Sequence, residues 1–265
     1  MKVIGARLPG GLQVLRELDR GVSSRVFLAS DGRRLAALKL FEPRNAARAR
    51  RELAVGQGLQ HPNLNPVTEA LEVDGHPGVL MPLVLGVRLT AWLANGPNLG
   101  SKLSTLSGVA DALTHLHGLG IVHRDVKPEN ILVDKYAHAT LLDFDLAARV
   151  GEEAPAAVAG TIAYLSPEQA RAEPATPAAD LYGFGALLYQ ALTGQVPFTG
   201  TVAEVLEAHA HEAPARPSDL VPALGPLDDL LLALLAKVPA ARPATAAEVG
   251  AALRAAASDL VGGAV

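Results

Sequence analysis

Two polar clusters in the middle of the chain contain the residue types that metal-assisted phosphate chemistry requires. The first reads His123-Arg124-Asp125-Val126-Lys127-Pro128-Glu129-Asn130 and lies between apolar residues. The second, Asp143-Phe144-Asp145, follows an apolar pair a short distance downstream. Carboxylate and amide oxygens suit magnesium, which shares its octahedral sites with phosphate oxygens, and a separate carboxylate can orient an attacking hydroxyl and accept its proton. This pattern predicts a magnesium–triphosphate site on loops held by buried flanks.

The elements that must position these loops begin with a strand-rich first third of the chain. Short, partly alternating apolar runs separated by turn residues such as Gly21 and Asp31-Gly32 predict strands. The predicted strands are residues 12–18, 25–30, 34–41, 67–73 and 79–85. An arginine-rich stretch that opens at Pro43 and ends near residues 56–58 predicts a helix.

After Gly86 the apolar residues follow a helical spacing. The predicted helices are residues 103–116, 180–193, 202–211, 227–237 and 244–256. The proline-rich stretch of residues 213–226 predicts a loop. A strand-rich third followed by a helix-rich remainder predicts an α+β architecture of two lobes, with a boundary near residues 83–86.

The composition limits the class of protein. The chain has 265 residues, of which 49% are hydrophobic, and this is enough for a substantial core. Its formal net charge of −4 argues against nucleic acid or an anionic membrane as a partner. No apolar run approaches the roughly 20 residues that span a bilayer, and the start does not read as a secretion signal. Because the chain has no cysteine, disulfides and thiolate chemistry are excluded, and we expect a soluble cytoplasmic protein.

The polar clusters and their surroundings resemble the catalytic domain of the bacterial eukaryotic-like (Hanks-type) serine/threonine protein kinases. The resemblance extends over residues 12–256. Its motifs are the catalytic loop at residues 123–130, the metal-binding tripeptide at residues 143–145, the third-strand lysine motif at residues 37–39, the helix glutamate Glu52, and the substrate-loop and helix-start motif at residues 160–168. The resemblance implies a bilobal α+β protein kinase fold, with a small antiparallel sheet lobe and one helix in residues 1–84, and a larger, mainly helical lobe in residues 85–265.

The resemblance also implies a role for each polar site residue. Asp125 would accept the proton of the substrate hydroxyl, and Lys127 would neutralise the γ-phosphate of ATP. Lys39 would hold the α- and β-phosphates and would be oriented by Glu52. The remaining assignments are Asn130 and Asp143 as ligands of magnesium or manganese, and Thr161 as a hydrogen-bond partner near Asp125 and Lys127. Lys127 and Thr161 indicate Ser or Thr as the residue that is phosphorylated.

Two supporting contacts and an adenine site follow from the same resemblance. Asp180 would brace the catalytic loop, and Arg242 would pair with Glu168. Gly21 in the glycine-rich loop would contact ATP. The adenine site would have Val26 and Ala37 above the base, Leu132 below it, Met81 as gatekeeper, and Pro82 and Val84 in the hinge. Proline lacks an N–H but keeps its carbonyl, so Pro82 is compatible with a hinge that uses the carbonyl at this position.

Three features depart from the family pattern. In the glycine-rich loop, residues 19–26, only Gly21 is a glycine, which predicts weak nucleotide binding because side chains take space near the phosphates. Asp145 replaces the last glycine of the metal tripeptide, and we expect it to restrict the motion of that segment or to add a carboxylate near the metal. Residues 146–160 contain no Ser, Thr or Tyr, so the pair Glu152-Glu153 would supply the negative charge that phosphorylation provides elsewhere.

Each motif taken alone has a simpler interpretation. Lys39 could end in solvent beyond its strand, Glu52 could lie on a solvated helix face, and Asp143-Phe144-Asp145 could be an ordinary turn. The joint order and spacing of the motifs favour the kinase fold.

Three functions fit these motifs. The first is an ATP- and divalent-metal-dependent protein serine/threonine kinase, soluble and without a sensor domain. The second is a pseudokinase that binds nucleotide or partners without catalysis, which the glycine-poor loop and Asp145 favour. The third is a small-molecule phosphotransferase, which the protein-substrate motif at residues 160–168 disfavours. The partners expected are ATP and protein substrates, with a regulatory protein or a second copy of the chain left open.

Overall fold

The described part of the chain, residues 3–153 and 162–262 of a computed structural model, divides into two units. The first unit comprises Met1–Leu85 together with Leu142–Ala147, and the second comprises Gly86–Leu141 together with Ala148–Val265. The short segment Leu142–Ala147 therefore belongs with the N-terminal strands, although it lies far from them in sequence. The expectation that residues 1–84 bind nucleotide and residues 85–265 carry out catalysis stays a prediction.

The first unit contains five antiparallel strands and one helix. They are β1 (Gln13–Arg20), β2 (Ser24–Ser30), β3 (Leu35–Phe41), α1 (Ala46–Gly56), β4 (Glu69–Val73) and β5 (His76–Pro82). The strands form one sheet in the order β1-β2-β3-β5-β4. Asp74 and Gly75 connect β4 to β5 with positive φ angles of 52° and 74°, as a tight two-residue hairpin loop requires. This hairpin sets the start of β5, which lies at residues 76–82 and not at the predicted residues 79–85.

The register of the sheet defines the face that carries Lys39. Val26 and Val79 lie opposite Lys39 on the neighbouring strands, and Ala37 lies opposite Met81. Residues opposite each other in antiparallel strands share a face, as do residues two apart in one strand. All five residues are therefore on one side of the sheet. Helix α1 packs against this side through its own apolar residues.

The opposite face of the sheet is covered by a segment that precedes β1. Val3 and Leu8 are buried and belong to the same apolar cluster as the sheet residue Phe27. The backbone N–H of Leu8 donates to the carbonyl of Leu12 at 2.8 Å, which closes the segment on itself. The sequence pattern predicts no element at residues 3–11, because their few apolar residues follow neither a helical nor a strand period. Only the packing reveals that this segment completes the core.

The second unit is mainly helical and contains two small sheets. Its helices are α2 (Leu89–Ala94), α3 (Leu99–Gly118), α4 (Pro167–Ala170), α5 (Pro177–Thr193), α6 (Val202–His211), α7 (Pro217–Leu220), α8 (Asp228–Leu234) and α9 (Ala246–Gly262). Its strands are β6 (Val87–Arg88), β7 (Ile121–Val122), β8 (Ile131–Val133), β9 (Ala139–Leu141) and β10 (Ala148–Arg149). β6, β8 and β9 form one sheet, and β7 pairs with β10. Helix α5 is buried along most of its length, and α3 packs along α9. The predicted α+β class, with a small antiparallel sheet and one helix followed by a mainly helical part, is confirmed.

The proline-rich stretch predicted to be a loop contains helix α7 and a 3₁₀ turn at Pro222–Leu227, so the loop prediction is wrong there. Asp228 accepts hydrogen bonds from the backbone N–H of Ser218 at 2.9 Å and from its hydroxyl at 2.5 Å. Pro217 occupies the first turn of α7, where the missing N–H costs no hydrogen bond. The stretch is therefore ordered by a contact with Asp228, which lies outside it. The composition of the stretch alone cannot predict this contact. Within the described residues, no helix combines the length and apolar character needed to cross a bilayer.

Candidate active site

A buried ion-pair cluster surrounds Lys39 in the first unit. The Nζ of Lys39 lies 2.8 Å from Oε2 of Glu52 and 2.6 Å from Oδ1 of Asp143. Lys39 is 4% exposed and Glu52 is 1% exposed, so the interpretations that place either side chain in solvent are wrong. The strand register puts Lys39 on the side of the sheet that α1 covers, and this position brings it to Glu52.

The electrostatics of this cluster keep Lys39 in its charged form. Burial alone would lower the pKa of Lys39, but the carboxylates of Asp143, Glu52 and Asp145 outweigh it and raise that pKa. Burial raises the pKa of Glu52, and Asp143 and Asp145 act in the same direction against the effect of Lys39. Lys39 is therefore cationic at neutral pH, as the binding of a phosphate group requires.

Asp145 is buried beside Asp143. It is 4% exposed, and its Oδ2 lies 3.8 Å from Nζ of Lys39 and 3.4 Å from Nη1 of Arg48. Its backbone N–H donates to Oδ1 of Asp143 at 3.2 Å. Asp143 has a φ angle of 70°, which is uncommon for a residue other than glycine. Side chains of β3 and α1 hold this tripeptide, and an ordinary surface turn would have neither contact.

Helix α1 approaches Phe144 closely because its last residue is a glycine. A Cβ atom built on Gly56 would lie 2.5 Å from Cγ2 of Val67 and 3.3 Å from Cδ2 of Phe144. Phe144 itself is fully enclosed, at 1% exposure. A larger residue at position 56 would displace one of these neighbours. In the sequence Gly56 marks only the end of a helix, and its role in packing appears only once Phe144 is placed.

Three of the predicted adenine contacts share the face of the sheet that carries Lys39. They are Val26, Ala37 and Met81, and they lie there because of the strand register. Val84 follows the end of β5 and is half-buried. The sheet thus brings together the apolar residues predicted to contact a base and the lysine predicted to hold phosphates.

The glycine-poor loop between β1 and β2 is a tight, exposed turn. The N–H of Gly21 donates to the carbonyl of Ser24 at 2.9 Å, and Val22 at the tip is 96% exposed. The tip of the turn therefore carries an exposed valine side chain, where the family pattern has glycine.

The carbonyl of Pro82, predicted to contact adenine, accepts a hydrogen bond from within the first unit. The side-chain Nδ2 of Asn65 donates to it at 3.3 Å, and Asn65 is buried. A carbonyl oxygen has two lone pairs, so this bond fixes the end of β5 and is compatible with a second donor from a ligand. Asn65 is not among the predicted site residues. In the sequence, the feature that could have identified Asn65 is its polar amide between two apolar neighbours.

A second polar cluster, in the second unit, is built around Asp125. Its Oδ2 lies 2.7 Å from Nζ of Lys127 and accepts a hydrogen bond from Nδ2 of Asn130 at 2.8 Å. The same Nδ2 donates to the backbone carbonyl of Asp125 at 2.9 Å. A 3₁₀ turn at Pro128–Asn130 makes these contacts possible. Both amide hydrogens of Asn130 are thus used inside the loop, and the amide oxygen is its side-chain atom suited to a cation.

Asp180 holds this loop from helix α5. Its carboxylate accepts hydrogen bonds from the backbone N–H groups of His123 at 2.8 Å and Arg124 at 2.7 Å, and Nε2 of His117 lies 2.8 Å from it. Burial alone would raise the pKa of Asp180, but these interactions, led by the contact with His117, outweigh it and lower the pKa. The prediction that Asp180 braces the catalytic loop is confirmed. His117 is an additional supporting residue that the motifs did not identify.

The predicted pair of Glu168 and Arg242 is confirmed. Nη2 of Arg242 donates to Oε2 of Glu168 at 2.9 Å, and the guanidinium also donates to the carbonyl of Ala178 at 2.7 Å. The next residue along α4, Gln169, donates from Nε2 to the carbonyl of Arg124 at 2.8 Å. Helix α4 is thereby fixed to the start of α5 and to the catalytic loop.

Three of the remaining predicted residues lie outside these clusters or outside the described residues. Leu132 lies on β8, half-buried, opposite Thr140 on β9. Thr161 belongs to residues 154–161, which lie outside the described part of the chain. The carboxylate of Glu152 accepts a hydrogen bond from the backbone N–H of Arg149 at 2.9 Å, so this acidic residue closes a local turn.

The predicted metal ligands, Asn130 and Asp143, offer hard oxygen atoms in separate units. The side chain of Asp143 is 29% exposed. Across residues 3–153 and 162–262, no group of three or more His, Cys, Asp or Glu side chains could hold a metal ion. A magnesium ion bound through one or two protein oxygens and completed by phosphate oxygens and water needs no larger group. Each of the two residues therefore offers an oxygen that suits a metal arriving with a nucleotide.

Comparison with known sequences agrees with this geometry. The protein kinase domain family matches residues 12–251. The chain is 36% identical to serine/threonine-protein kinase PrkC of Bacillus subtilis over 211 residues, which is 75% of this chain and 33% of the relative. It is 35% identical to serine/threonine-protein kinase pkn2 of Myxococcus xanthus over 275 residues (96% and 33%). It is 34% identical to serine/threonine-protein kinase PknE of Mycobacterium tuberculosis over 261 residues (93% and 46%). The chain thus spans between a third and a half of the length of these relatives.

The family match begins at the start of the sheet and ends within α9. It therefore includes the cluster around Lys39, the cluster around Asp125 and the pair of Glu168 and Arg242. The resemblance and the kinase fold predicted from the motifs are confirmed by this match. The chain belongs to the protein kinase domain family.

Proposed function

We propose that this chain transfers the γ-phosphate of ATP to serine or threonine hydroxyls of protein substrates. Members of the protein kinase family in general use ATP with a divalent metal and act on proteins, and the relatives compared above are named serine/threonine-protein kinases. The observation that carries the proposal is the contact of Asp125 with Lys127 and Asn130. It places a carboxylate, a cation and an amide within hydrogen-bond distance on a braced loop.

Lys39 is proposed to bind the α- and β-phosphates of ATP. Its ammonium group is buried and charged, and Glu52 at 2.8 Å fixes its position from α1. Asp143 contacts Lys39 at 2.6 Å, so the phosphates would compete with this carboxylate for the lysine. Held in place before the nucleotide arrives, Lys39 loses little freedom on binding, which favours the reaction.

Asp125 is proposed to orient the substrate hydroxyl and to accept its proton. Lys127, at 2.7 Å from the same carboxylate, is proposed to neutralise charge on the transferred phosphoryl group. Phosphoryl transfer passes through a loose transition state in which positioning and charge stabilisation supply most of the catalysis. Thr161 is proposed to hydrogen-bond near Asp125 and Lys127, as the family pattern implies.

Asn130 and Asp143 are proposed to bind the divalent metal, magnesium or manganese. When bound, the ion neutralises charge on the phosphate oxygens. The two hydrogen bonds that Nδ2 of Asn130 donates to Asp125 fix the direction of its amide oxygen. This arrangement supports a role of Asn130 as a ligand that is already oriented.

Seven further residues are proposed to contact ATP. Gly21 is proposed to contact ATP from the glycine-rich loop. The residues proposed to contact the adenine base are Val26, Ala37, Met81, Pro82, Val84 and Leu132. The common face of Val26, Ala37 and Met81 supports this assignment. The carbonyl of Pro82 would share its lone pairs between Asn65 and the base.

A pseudokinase is the second candidate, and two observations favour it. Asp145 brings a third carboxylate to Lys39 at 3.8 Å, and the β1–β2 loop has one glycine in its turn. Both features disfavour tight binding of a polyanionic nucleotide. In this case the chain would bind nucleotide or a partner without transferring phosphate.

An assay of phosphate transfer tests the proposal. The purified chain is incubated with γ-labelled ATP, a generic protein substrate, and magnesium or manganese. Asp125→Asn keeps the shape of the side chain but removes the base, and we expect transfer to fall at least about 100-fold. Asp259→Asn, at an exposed position of α9, serves as the matched control and is expected to be unchanged.

The outcomes separate the candidates. Transfer that persists in Asp125→Asn contradicts the proposed base. Nucleotide binding without any transfer indicates a pseudokinase, and transfer confined to a small alcohol indicates a small-molecule phosphotransferase. A cytoplasmic location, and a regulatory protein or second copy as partner, stay predictions that fractionation and measurement of the molar mass in solution would test.

A further inference from the structure

Asp145 is tied to helix α1 by Arg48. Nη1 of Arg48 lies 3.4 Å from Oδ2 of Asp145. Asp145 is 4% exposed, and the side chain of Arg48 is 26% exposed. Because the pair is mostly shielded from water, its attraction is stronger than that of a surface pair. A glycine at position 145 could not make this contact.

The same nitrogen of Arg48 also reaches the turn that joins β1 to β2. Nη1 lies 3.2 Å from the hydroxyl of Ser23. The carbonyl of Ser23 in turn accepts hydrogen bonds from Nδ2 of Asn45 and from the backbone N–H of Glu42, each at 3.3 Å. Three segments distant in sequence therefore meet at Arg48: the β1–β2 turn, the start of α1, and the metal tripeptide.

Arg48 and Glu52 are one helical turn apart and lie on the same face of α1. Glu52 contacts Lys39 at 2.8 Å, and Lys39 contacts Asp143 at 2.6 Å. Arg48 contacts Asp145, two residues after Asp143. Helix and tripeptide are thus joined at two points along the same face, one through Lys39 and one directly.

Arg48 adds a second cation to the carboxylates that surround Lys39. Three carboxylates, those of Glu52, Asp143 and Asp145, lie within 4 Å of Nζ of Lys39. Asp145 is almost fully buried, and a buried carboxylate without a nearby cation is strongly unfavourable. Arg48 supplies the additional positive charge. Without it, repulsion between the carboxylates would push the tripeptide away from α1.

We propose that Asp145 is a positioning residue, which with Arg48 ties the metal tripeptide to α1 and to the β1–β2 turn and so keeps Glu52 and Asp143 on Lys39. The inference rests on the proposed function for its effect on transfer, although the tie itself is a property of the fold. In this proposal Asp145, which stands where the family tripeptide has a glycine, helps to hold the tripeptide in place.

A double-mutant cycle tests this tie. The variants are Arg48→Gln, Asp145→Asn and their combination, measured by the kcat/KM for ATP and by the KM for the protein substrate. We expect each single change to lower kcat/KM for ATP about tenfold, and the double change to add less than about twofold, because both remove the same contact. The KM for ATP should rise while the KM for the protein substrate stays the same, since loss of folded protein would lower the amount of active enzyme and change neither constant.

A matched control and a milder variant complete the cycle. Arg50→Gln changes an exposed arginine two residues along the same helix and is expected to leave both constants unchanged. Arg48→Lys keeps the charge with shorter reach, and we expect a loss of about twofold to threefold. If Arg48→Gln does not fold, Arg48→Lys with Asp145→Asn supplies the same comparison.

Two kinetic results would overturn the proposal. Losses that multiply in the double variant would mean that the two residues act independently. A changed dependence on metal concentration in Asp145→Asn, absent in Arg48→Gln, would mean that Asp145 is a metal ligand.

The reactivity of Lys39 tests the tie even if the chain transfers no phosphate. Each variant is treated with acetic anhydride, and mass spectrometry measures the acetylation rate of Lys39 relative to that of the exposed Lys135. We expect Lys39 to react about fivefold faster in Arg48→Gln and Asp145→Asn, because a tripeptide no longer tied to α1 leaves the buried amine more accessible to the reagent, and to be unchanged in Arg50→Gln. Equal rates in all variants would overturn the tie independently of the proposed kinase activity.

Discussion

The contacts that a polar residue makes in the interior determine what its side chain can do. Lys39, which alone reads as an ordinary strand lysine, is buried among carboxylates from α1 and from the tripeptide. Asp180 is buried too, but backbone N–H groups and His117 satisfy it, and its function is to hold a loop. Asp125 is also an aspartate, but its contacts are with Lys127 and Asn130 and not with backbone N–H groups of a neighbouring loop.

His209 on α6 predicts a loss of stability in acid. It is 1% exposed, and its Nδ1 lies 2.8 Å from the hydroxyl of Tyr182. Burial, with the charge of Lys237, lowers the pKa of His209 to about 4. Below pH 6.5 the unfolded chain binds a proton that the folded chain excludes until about pH 4, so the free energy of unfolding falls as the pH falls through this window. Burial also lowers the pKa of Lys237 to about 8, and so Lys237 titrates above the window.

Replacing the histidine tests this expectation. In His209→Gln the decrease in the free energy of unfolding between pH 7 and pH 4.5 should be smaller by about 2 kcal/mol than in the parent chain. Urea titrations at several pH values measure the difference. His211→Gln, at an exposed position on the same helix, should follow the parent curve. An unchanged pH dependence in His209→Gln would show that another group controls acid stability.

Whole elements differ in how far local pattern determines them. The Asp74-Gly75 turn and helix α3 follow from their sequences, because a positive-φ hairpin and a long apolar helical spacing are local properties. Helix α7 depends on Asp228, and the segment at residues 3–11 depends on the sheet face beneath it. Elements of the second kind are stabilised mainly by tertiary contacts.

The segment that precedes β1 is expected to stabilise the first unit. Replacing both Val3 and Leu8 with Ala removes buried apolar surface and leaves a cavity, which should lower the free energy of unfolding by about 3 kcal/mol. Denaturant titration monitored by circular dichroism measures it. The control is Ile4→Ala, because Ile4 is 62% exposed. An equal effect of all these changes would mean that the segment does not pack as described.

For the whole molecule, the division into two units does not follow the linear order of the chain. The segment Leu142–Ala147 belongs to the first unit although both of its flanks belong to the second. The tripeptide therefore shares the environment of Lys39 and α1. Each polar cluster is formed by residues of a single unit. Lys39 contacts Glu52 and Asp143 in the first unit, and Asp125 contacts Asn130 in the second.

Binding of nucleotide should stabilise the whole chain only modestly. The crowding of carboxylates around Lys39 and the single glycine of the β1–β2 turn predict a weak affinity. At about 1 mM ATP with excess magnesium, we expect about 1 kcal/mol of stabilisation, or a rise of about 2–4 °C in Tm. Differential scanning fluorimetry measures the rise, and Lys39→Met should abolish it. A titration that saturates below micromolar ATP would contradict the weak-binding prediction.

The sequence by itself determined the α+β class and the positions of most strands and helices, and it predicted the polar site residues. These follow because local periodicity fixes the elements, and because Lys39, Asp125, Asn130 and Asp143 stand in motifs of specific order. The pairs of Asp180 with the catalytic loop and of Glu168 with Arg242 were also predicted in this way.

Only the tertiary structure decided which atoms meet. It placed Arg48 against Asp145 and Ser23, Gly56 against Phe144, and Asn65 on the carbonyl of Pro82. Each of these contacts joins segments that are far apart in the chain, and each depends on distances of a few ångströms. A local pattern has no information about such distances, because they are set by the packing of the helix, the sheet and the tripeptide together.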